Sequence, residues 1–587
     1  MQFPYGLSDF PTIIHEHYFY QDRTDRIPLL EAAGRQLIFI RPRRFGKSLL
    51  LSMLEHYYDV NQADQFNALF GSLAIGQNPT PRHNQYFIMK WDFSLVKAQG
   101  ELKDTEAALH QHVNDRIAKF ATDYAKYLTQ TIVIRPDNAI SSIESLLTAV
   151  TATPYKIYLL IDEYDNFAND VLTARQEHYE ALPYGEGLLK MVFKAVKAAA
   201  SGRGLDRVFI TGVSPIVLSD MTSGYNVGEN IYLEDAFNDL CGFTEAEIAA
   251  VLDHMTAEGV TWSAAEALDT MRTFYNGYCF SEDAENRLYN PTLSLYFLKH
   301  LQNHGRYPRL MLDDNLAMDR NKLVYISRLP HGEAVLIKAL NQDDPITISQ
   351  LARRFGVQDI LNQVKDQTFM ASLLYYFGVL TLAGRGILGK WVLKVPNLVA
   401  KQLYVERLQE LWLLTYEDRE MIQQDAETFY LSGNLAPLCD FIEQRYFKVL
   451  SNRDYRWTNE LLIKMAFLTL LFNDRLYMMV SETEAGHGYA DLSLIVRPDM
   501  RRFHALDLLL EFNYLSLKDI GRSGEQVREI ARDELALLPA VAAELNGAEQ
   551  QALHYGAALR ERYGLTDLRA FAVVALGLER VVWRAVG

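Results

Sequence analysis

Cysteine is scarce in this sequence. Cys241, Cys279 and Cys439 are the only three in 587 residues, and no two stand at CxxC spacing. That argues against a disulfide framework and against a zinc site, and it fits a reducing, cytoplasmic setting. No apolar run approaches the ~18 uninterrupted residues that suggest a membrane span. The opening MQFPYGLSDF has no basic stretch followed by an apolar run, so no secretory signal is expected. There is no internal repeat and no low-complexity tract. Positive charge is in deficit, with 58 Lys and Arg against 74 Asp and Glu and a net charge of -16. A broad, non-specific nucleic-acid surface is disfavoured by that balance, because phosphate binding is driven by basic groups; a local basic groove is not.

The apolar content is ample for full cores. At about 150 residues per domain the length suggests three or four domains. Residues 36–41 (QLIFIR), 85–93, 157–161 (IYLLI) and 208–211 (VFIT) are continuous apolar runs of buried-strand type, separated by helical stretches. Buried parallel strands flanked by helices have this pattern. Residues 103–128 are expected to be helical, with Val113, Ile117, Phe120, Tyr124 and Tyr127 spaced four, three, four and three apart. Residues 240–330 are helical in pattern, interrupted by the turn-like Tyr275-Asn276-Gly277-Tyr278. Residues 347–355 and 365–377 are expected to be helices. A hairpin follows, from 379–382 through Ala383-Gly384-Arg385-Gly386 to 390–395, and the set suggests a winged helix. Residues 401–450 read as helical and linking. From about 451 the order is helix, strands, helix, strand.

Between the first strand and the helix starting near residue 47 lies Arg41-Pro42-Arg43-Arg44-Phe45-Gly46-Lys47-Ser48. Strand, loop and helix in that order is the context of a phosphate-binding loop. Backbone N–H groups of Arg43, Arg44, Phe45, Gly46 and Leu49 would cradle phosphates at the positive end of the helix. Lys47 would reach the outer phosphates and Ser48 would ligate Mg²⁺. Arg41 stands where the usual pattern begins with glycine. The plainer alternative is a basic loop opening an ordinary helix.

The strand at 157–161 runs into Asp162-Glu163, two carboxylates at its carboxyl end. Asp162 would hold the Mg²⁺ shell and Glu163 would orient or deprotonate a water. The alternative is a core strand with an acidic exit.

RPRRFGKSLLLSMLEHYYD, preceded by PYGLSDF and YFYQDRT and followed by YLLIDEYDNF, VFITGVSP and YNGYCFSE, resembles the bacterial and archaeal AAA-ATPase-like family over roughly residues 1–300. The resemblance implies an AAA-type P-loop fold related to the STAND-like ATPases, with MgATP as ligand. It also accounts for Arg41, since loops of that family read RPRRFGKS. It makes Thr211 a sensor beside the γ-phosphate, with a strand-end Thr capping a turn as the alternative. Arg203 and Arg207 are candidate arginine fingers, with solvated surface arginines as the alternative.

A second constellation lies near the C-terminus. Glu460 falls on an expected helix, Asp491 opens the strand DLSLIV, and Glu511 ends the strand ALDLLLEF. Carboxylates on two adjacent strands with a third on a helix could share divalent metal ions, Mg²⁺ or Mn²⁺, for phosphodiester hydrolysis. The alternative is strand-edge surface acids. The stretch LLEFNYLSLKDIG, with Gln551 and Tyr555 further on, resembles the PD-(D/E)xK nuclease superfamily over roughly 450–587. The lysine of that pattern is here Asn513, which carries no charge to stabilise a developing phosphorane. Lys518 is a candidate substitute. His487, His504, Met478-Met479 and Asp343-Asp344 are read as ordinary surface or packing residues.

The expected architecture is therefore α/β throughout. A P-loop ATPase core, a parallel sheet with flanking helices, spans 1–240, and a helical lid spans 241–330. A winged-helix module spans 331–400, a helical linker 401–450, and a restriction-endonuclease-like domain 451–587. The expected partners are ATP and DNA, with no membrane; homo-oligomerisation is left open. Three functions stay open: an ATP-regulated nuclease, a nucleotide-controlled switch that binds without cutting, and a scaffold with a degenerate loop.

Overall fold

The computed structural model describes residues 1–96, 102–166, 192–215, 228–256, 262–312, 320–341, 344–352, 355, 365–413, 415–451, 460–480 and 490–587. The N-terminal sheet has five strands: β1 (Gln36–Ile40), β2 (Tyr86–Asp92), β3 (Lys156–Asp162), β4 (Leu205–Gly212) and β5 (Glu229–Asn230). They lie in the order β2-β3-β4-β1-β5, and every pairing is parallel. β3 is apolar from Ile157 to Ile161 and β4 from Val208 to Ile210 because both faces are covered there: all of β3 beyond Lys156 is buried. Helices α1 (Lys47–Tyr58), α2 (Leu102–Asp123) and α3 (Ala139–Thr151) connect the strands. The apolar stripe of α2 is spent on β2, where Phe87 meets Phe120 and Tyr124 at ring-centroid distances of 5.7 and 4.6 Å. The helix ends at Asp123, short of 128, yet Tyr127 continues the same contact from a turn, 5.6 Å from Phe87.

The strand order decides where chemistry can occur. β4 lies between β1 and β3, so the carboxyl ends of β1 and β3 face the same edge. The crevice outside the carboxyl ends of parallel strands is where α/β sheets bind ligands.

Helices α4 (Glu245–Thr256), α5 (Ala264–Tyr275) and α6 (Pro291–His304) follow. Next comes a small antiparallel sheet, β6 (Ile346–Ile348), β7 (Thr381–Arg385) and β8 (Trp391–Lys394), in the order β6-β8-β7, beside α7 (Gln367–Tyr376). The hairpin and the helix from 367 follow the sequence pattern. The expected helix over 347–355 does not: Ile346-Thr347-Ile348 is a strand paired with β8, with both isoleucines buried. A β-branched triplet alternating inward and outward fits a sheet edge better than a helix. Positions 353–354 and 356–364 lie outside the described residues.

Helix α8 (Leu398–Trp412) begins a helical stretch that leads to α9 (Glu460–Leu471). The C-terminal sheet is mixed. β9 (Tyr477–Val480), β10 (Leu492–Val496) and β11 (Asp507–Leu515) form an antiparallel meander. Helix α10 (Pro539–Tyr563) then returns the chain so that β12 (Leu568–Leu576) runs parallel to β11, and β13 (Arg580–Val586) closes the edge antiparallel. Right-handed crossovers between parallel strands usually require such a helix. Among the described residues no helix is long and apolar enough to cross a membrane. The three cysteines are buried and none forms a disulfide.

Candidate functional site

The loop from Arg41 to Ser48 leaves the carboxyl end of β1 and enters α1. Arg44 and Gly46 hold positive φ angles, 65° and 90°, which turn the backbone tightly before the helix. A Cβ at Gly46 would meet nothing within 4 Å, so the glycine is there for its backbone angle and not for space. Lys47 is buried, and its ammonium donates to the carbonyls of Arg41 (3.0 Å) and Pro42 (2.9 Å). Burial lowers its pKa, an effect that Asp162, Asp165 and Glu163 oppose. Two of three ammonium hydrogens are thus committed to the loop that the lysine sits in, and the third remains for an anion.

Asp162 comes to the same place from β3. Its Oδ2 accepts a 2.7 Å hydrogen bond from the Ser48 hydroxyl, and its Oδ1 accepts the N–H of Glu163 at 3.0 Å. Burial raises the pKa of Asp162, and Ser48 and Lys47 pull it back. Glu163 has φ 49°, the left-handed region that a non-glycine residue adopts only when its surroundings hold it there. Burial, then the neighbouring Asp162, raise its pKa. The segment is latched to β4: Asp165 accepts from the N–H groups of Val213 (3.1 Å) and Ser214 (2.8 Å) and from the Ser214 hydroxyl (2.8 Å).

A cavity of about 520 Å³ opens here, within the range of small-ligand pockets. Arg43, Arg44, Phe45, Gly46, Lys47, Ser48, Leu49 and Glu163 all line it. The opposite walls come from the N-terminal segment (Leu7, Tyr20) and from the region after β5 (Cys241, Phe243, Thr292). Asp162 stands behind Ser48 and is not part of the lining. Thr211 is not brought to the cavity either: it is fully buried opposite Phe39 in the sheet, and its hydroxyl has no hydrogen-bond partner among the described residues.

Arg41 has a role that the sequence did not reveal. It is 1% exposed, and its guanidinium donates to the carbonyls of Ile40 (2.8 Å), Tyr232 (2.8 Å) and Phe237 (2.7 Å). It lies 4.4 Å from the Phe39 ring and 4.2 Å from that of Phe280. Burial brings its pKa down to about 10, still charged at neutral pH. The residue in the glycine position is therefore an anchor that ties the loop to the segment after β5. The YNGYCFSE stretch holds the loop from the other side. Phe45 meets Tyr278 and Phe280 edge-on at 4.9 and 5.2 Å, and Thr292 donates to the Arg44 carbonyl at 2.9 Å.

Neither candidate arginine finger faces this cavity within the chain. Arg203 is an exposed partner of Glu144 at 3.6 Å. Arg207 is not a solvated arginine but a buried one, donating to the carbonyls of Gly34 (2.8 Å) and Glu31 (3.2 Å).

The C-terminal carboxylates also converge. Asp491 Oδ2 accepts the Phe512 N–H at 2.7 Å, and Glu511 Oε1 accepts the Asp491 N–H at 3.2 Å, across β10 and β11. On α9, facing these strands, sits a residue that the sequence motifs did not single out. Lys464 places its ammonium 2.5 Å from Asp491 and 2.8 Å from Glu460, one helical turn before it. Burial works against the Lys464 charge, but Asp491 and then Glu460 hold its pKa above the ordinary value. The signal was available: Glu460 and Lys464 are at i and i+4 on an expected helix.

Asn513 is engaged elsewhere, donating to the carbonyl (3.0 Å) and the carboxylate (2.9 Å) of Glu544 on α10. Lys518 is exposed on the short helix Leu517–Ile520. Gln551 is exposed and Tyr555 half-buried on α10. His504 is exposed, while His487 and Asp343 lie outside the described residues. Among the described residues, no group of three or more acidic, His or Cys side chains is arranged as a ready cation cage. What is present is a carboxylate pair with one lysine against it.

Burial, and then the Asp491 charge, raise the Glu511 pKa well above the usual carboxylate range. A carboxyl group whose folded pKa exceeds its unfolded value stabilises the fold fully below the unfolded pKa. That contribution is lost as pH rises through the folded pKa. Glu511→Gln, neutral at all pH, should therefore lose less stability than wild type on going from pH 6 to pH 9 with chelator present. The expected difference is on the order of 1–3 kcal/mol, the cost of a poorly compensated buried group. Melting curves of the two proteins across that range provide the check, and parallel profiles would contradict it.

Residues 4–222 match the AAA-ATPase_like family model, described as "Predicted AAA-ATPase". That span covers both the loop at 41–48 and the acidic strand end at 162–163. Over 544 residues the chain is 24% identical to a protein of Azotobacter chroococcum mcd 1 described as an uncharacterized protein in the vnfD 5'region; the match covers 90% of this chain and 92% of that one. Among solved structures the chain is similar to the Aeropyrum pernix ORC1 protein in complex with DNA, at 11% identity and a TM-score of 0.25, over 68% of this chain and 96% of that one. It is also similar to the Aeropyrum pernix ORC2 protein in its ADPNP-ADP complexes, at 12% identity and a TM-score of 0.26, over 65% and 89%. Likeness at that level assigns no residue a role.

Proposed function

We propose that the first cavity binds MgATP and that the chain is an AAA-type P-loop ATPase whose nucleotide state governs its C-terminal domain. One observation carries the reading: the 2.7 Å bond joining Ser48 to Asp162 across 114 residues of chain. Hydroxyl and carboxylate oxygens side by side are the donors that Mg²⁺ prefers, so the residues fit the ion. When bound, the ion neutralises phosphate charge. The backbone N–H groups of 43–48 and the Lys47 ammonium would bind and orient the phosphates. Glu163, whose raised pKa makes it a stronger base, would take the proton of the attacking water as the new O–P bond forms and the bond to the β-phosphate oxygen breaks. The match of residues 4–222 to a predicted AAA-ATPase supports the same reading.

For the C-terminal domain the reading is a metal-dependent nuclease acting on DNA. Asp491 and Glu511 offer buried oxygen donors side by side, and the raised pKa of Glu511 reflects burial beside negative charge that a bound cation would compensate. Mg²⁺ is commonly held through one or two carboxylates, the rest of its shell being water or phosphate. Bound there, Mg²⁺ or Mn²⁺ would supply Lewis-acid charge at the phosphodiester. Lys464 supplies the positive group that Asn513 lacks, and Glu460 positions it. A second reading, a nucleotide-controlled switch that binds nucleic acid without cutting, is favoured by the engagement of Asn513 with Glu544.

Incubating the full chain with single- and double-stranded DNA and Mg²⁺ or Mn²⁺, with and without ATP, separates the two. The nuclease reading expects cleavage that is lost in Asp491→Ala and falls about 100-fold or more in Lys464→Met, the usual cost of deleting one preorganised electrostatic contact. It also expects Asn513→Lys to gain little. DNA left intact in every condition, with binding that depends on ATP, would establish the switch instead.

A further inference from the structure

The two strand carboxylates of the C-terminal site do not stand open. Asp491, just before β10, has its Oδ2 taken by the Phe512 N–H at 2.7 Å. Glu511 on β11 has its Oε1 taken by the Asp491 N–H at 3.2 Å. A cation entering the site would therefore use the other oxygen of each group. For Asp491 that oxygen is already held, because the Lys464 ammonium lies 2.5 Å from Oδ1. A divalent ion bound to the same oxygen at about 2.1 Å would press its charge against the ammonium. Lysine and metal cannot both sit there.

The lysine has a second place to go. Glu460 stands one turn earlier on α9, and its Oε1 lies 2.8 Å from the same ammonium. This is the i, i+4 spacing that pairs side chains along a helix. The two acids differ in depth: the Asp491 side chain is 11% exposed and that of Glu460 42%. The ammonium thus bridges an inner acid and an outer one. Its flexible four-carbon stem lets the head shift between them with the helix in place. Retreat onto Glu460 would keep one ion pair and release Asp491 Oδ1.

We propose that Lys464 is a built-in rival of the metal ion, holding the inner position until a divalent cation displaces it onto Glu460. The proposal rests on the reading of the C-terminal site as a metal site. It adds that the site is closed by a cation of its own, and that Glu460 is the outer dock of the lysine and not a ligand of the metal. In the absence of metal, the ammonium gives the buried acids the counter-charge without which their burial would be costly.

Mn²⁺ is titrated calorimetrically into the full-length chain carrying Asp162→Asn, which removes the strand-end carboxylate of the first site. The heat that Asp491→Asn abolishes belongs to the C-terminal site. In that background Lys464→Met should bind Mn²⁺ at least about 10-fold more tightly, because no charge-assisted hydrogen bond has to be broken first. Lys464→Gln should shift affinity in the same direction and covers the case in which the methionine variant does not fold. The rise in melting temperature with Mn²⁺ should rank the variants in the same order. Glu460→Gln should weaken binding about threefold in the chain that retains Lys464, the worth of a half-exposed ion pair. Beside Lys464→Met it should change nothing. The proposal is overturned if the uncharged Lys464 variants bind Mn²⁺ no more tightly than their parent, since the lysine would then support the carboxylates instead of competing for them. It is also overturned if Glu460→Gln weakens binding equally in both backgrounds, since Glu460 would then be a ligand. No heat sensitive to Asp491→Asn in any of these chains would remove the metal reading itself, and this inference with it.

Discussion

Under the proposed ATPase reading, Lys47→Ala is expected to lower ATP turnover by at least about 100-fold and to remove measurable MgATP binding. The ammonium is buried at the mouth of α1, and only two carbonyl acceptors compete for its hydrogens. Losing one preorganised charge aimed at a transferring phosphoryl group costs about 3–4 kcal/mol. A purely structural role would give a different pattern. The carbonyls of Arg41 and Pro42 would be orphaned, costing about 1–3 kcal/mol of stability, while any residual activity would melt with the protein. Lys47→Met keeps the apolar stem and much of the packing. Turnover lost in both variants, with folding intact in at least one, identifies the charge as the reason. Turnover within threefold of wild type in Lys47→Met would remove Lys47 from the phosphate site.

The second large effect runs against the loop's usual pattern. Restoring the customary glycine with Arg41→Gly destabilises the N-terminal domain by about 3–5 kcal/mol, the range found when one partner of a buried charged pairing is deleted. Three carbonyls lose a charged donor, two aromatic rings lose a stacked guanidinium, and a void opens beneath the loop. The first thermal transition should fall by roughly 10 °C for a unit of this size. Arg41→Lys should fall part of the way, because an ammonium keeps the charge but cannot present the planar fork that reaches separate carbonyls. An unchanged melting curve for Arg41→Gly would mean that the loop does not depend on this anchor.

Much of the N-terminal sheet could be read from sequence, because its strands are apolar on both faces and stand out as continuous runs. The same is true of α2, whose stripe of Val113, Ile117 and Phe120, continued by Tyr124 in the turn after it, is buried. The pairing of Ser48 with Asp162 was inferable because glycine, lysine and serine at a helix start and acids at a strand end are each tied to a local backbone geometry. What could not be read depends on contacts distant in sequence. Arg41 takes its meaning from carbonyls about 190 positions away, and nothing near it announces that. Thr347 carries a helix-start signal, yet Ile346 and Ile348 find a sheet edge at β8, and tertiary pairing overrides the local preference. At the C-terminal site the strands and carboxylates were legible, but Lys464 lies outside the strand motif that ends at position 513. Its charge reaches the same acids from a helix, at a spacing that a strand motif does not include.

The most direct test of the account is a calorimetric titration of MgATP into the full-length chain, beside Lys47→Met and Asp162→Ala. The account expects a saturable heat with wild type that is abolished in both variants, because loop and strand end form one site. No heat from wild-type protein at millimolar MgATP, or undiminished binding in Asp162→Ala, would contradict it.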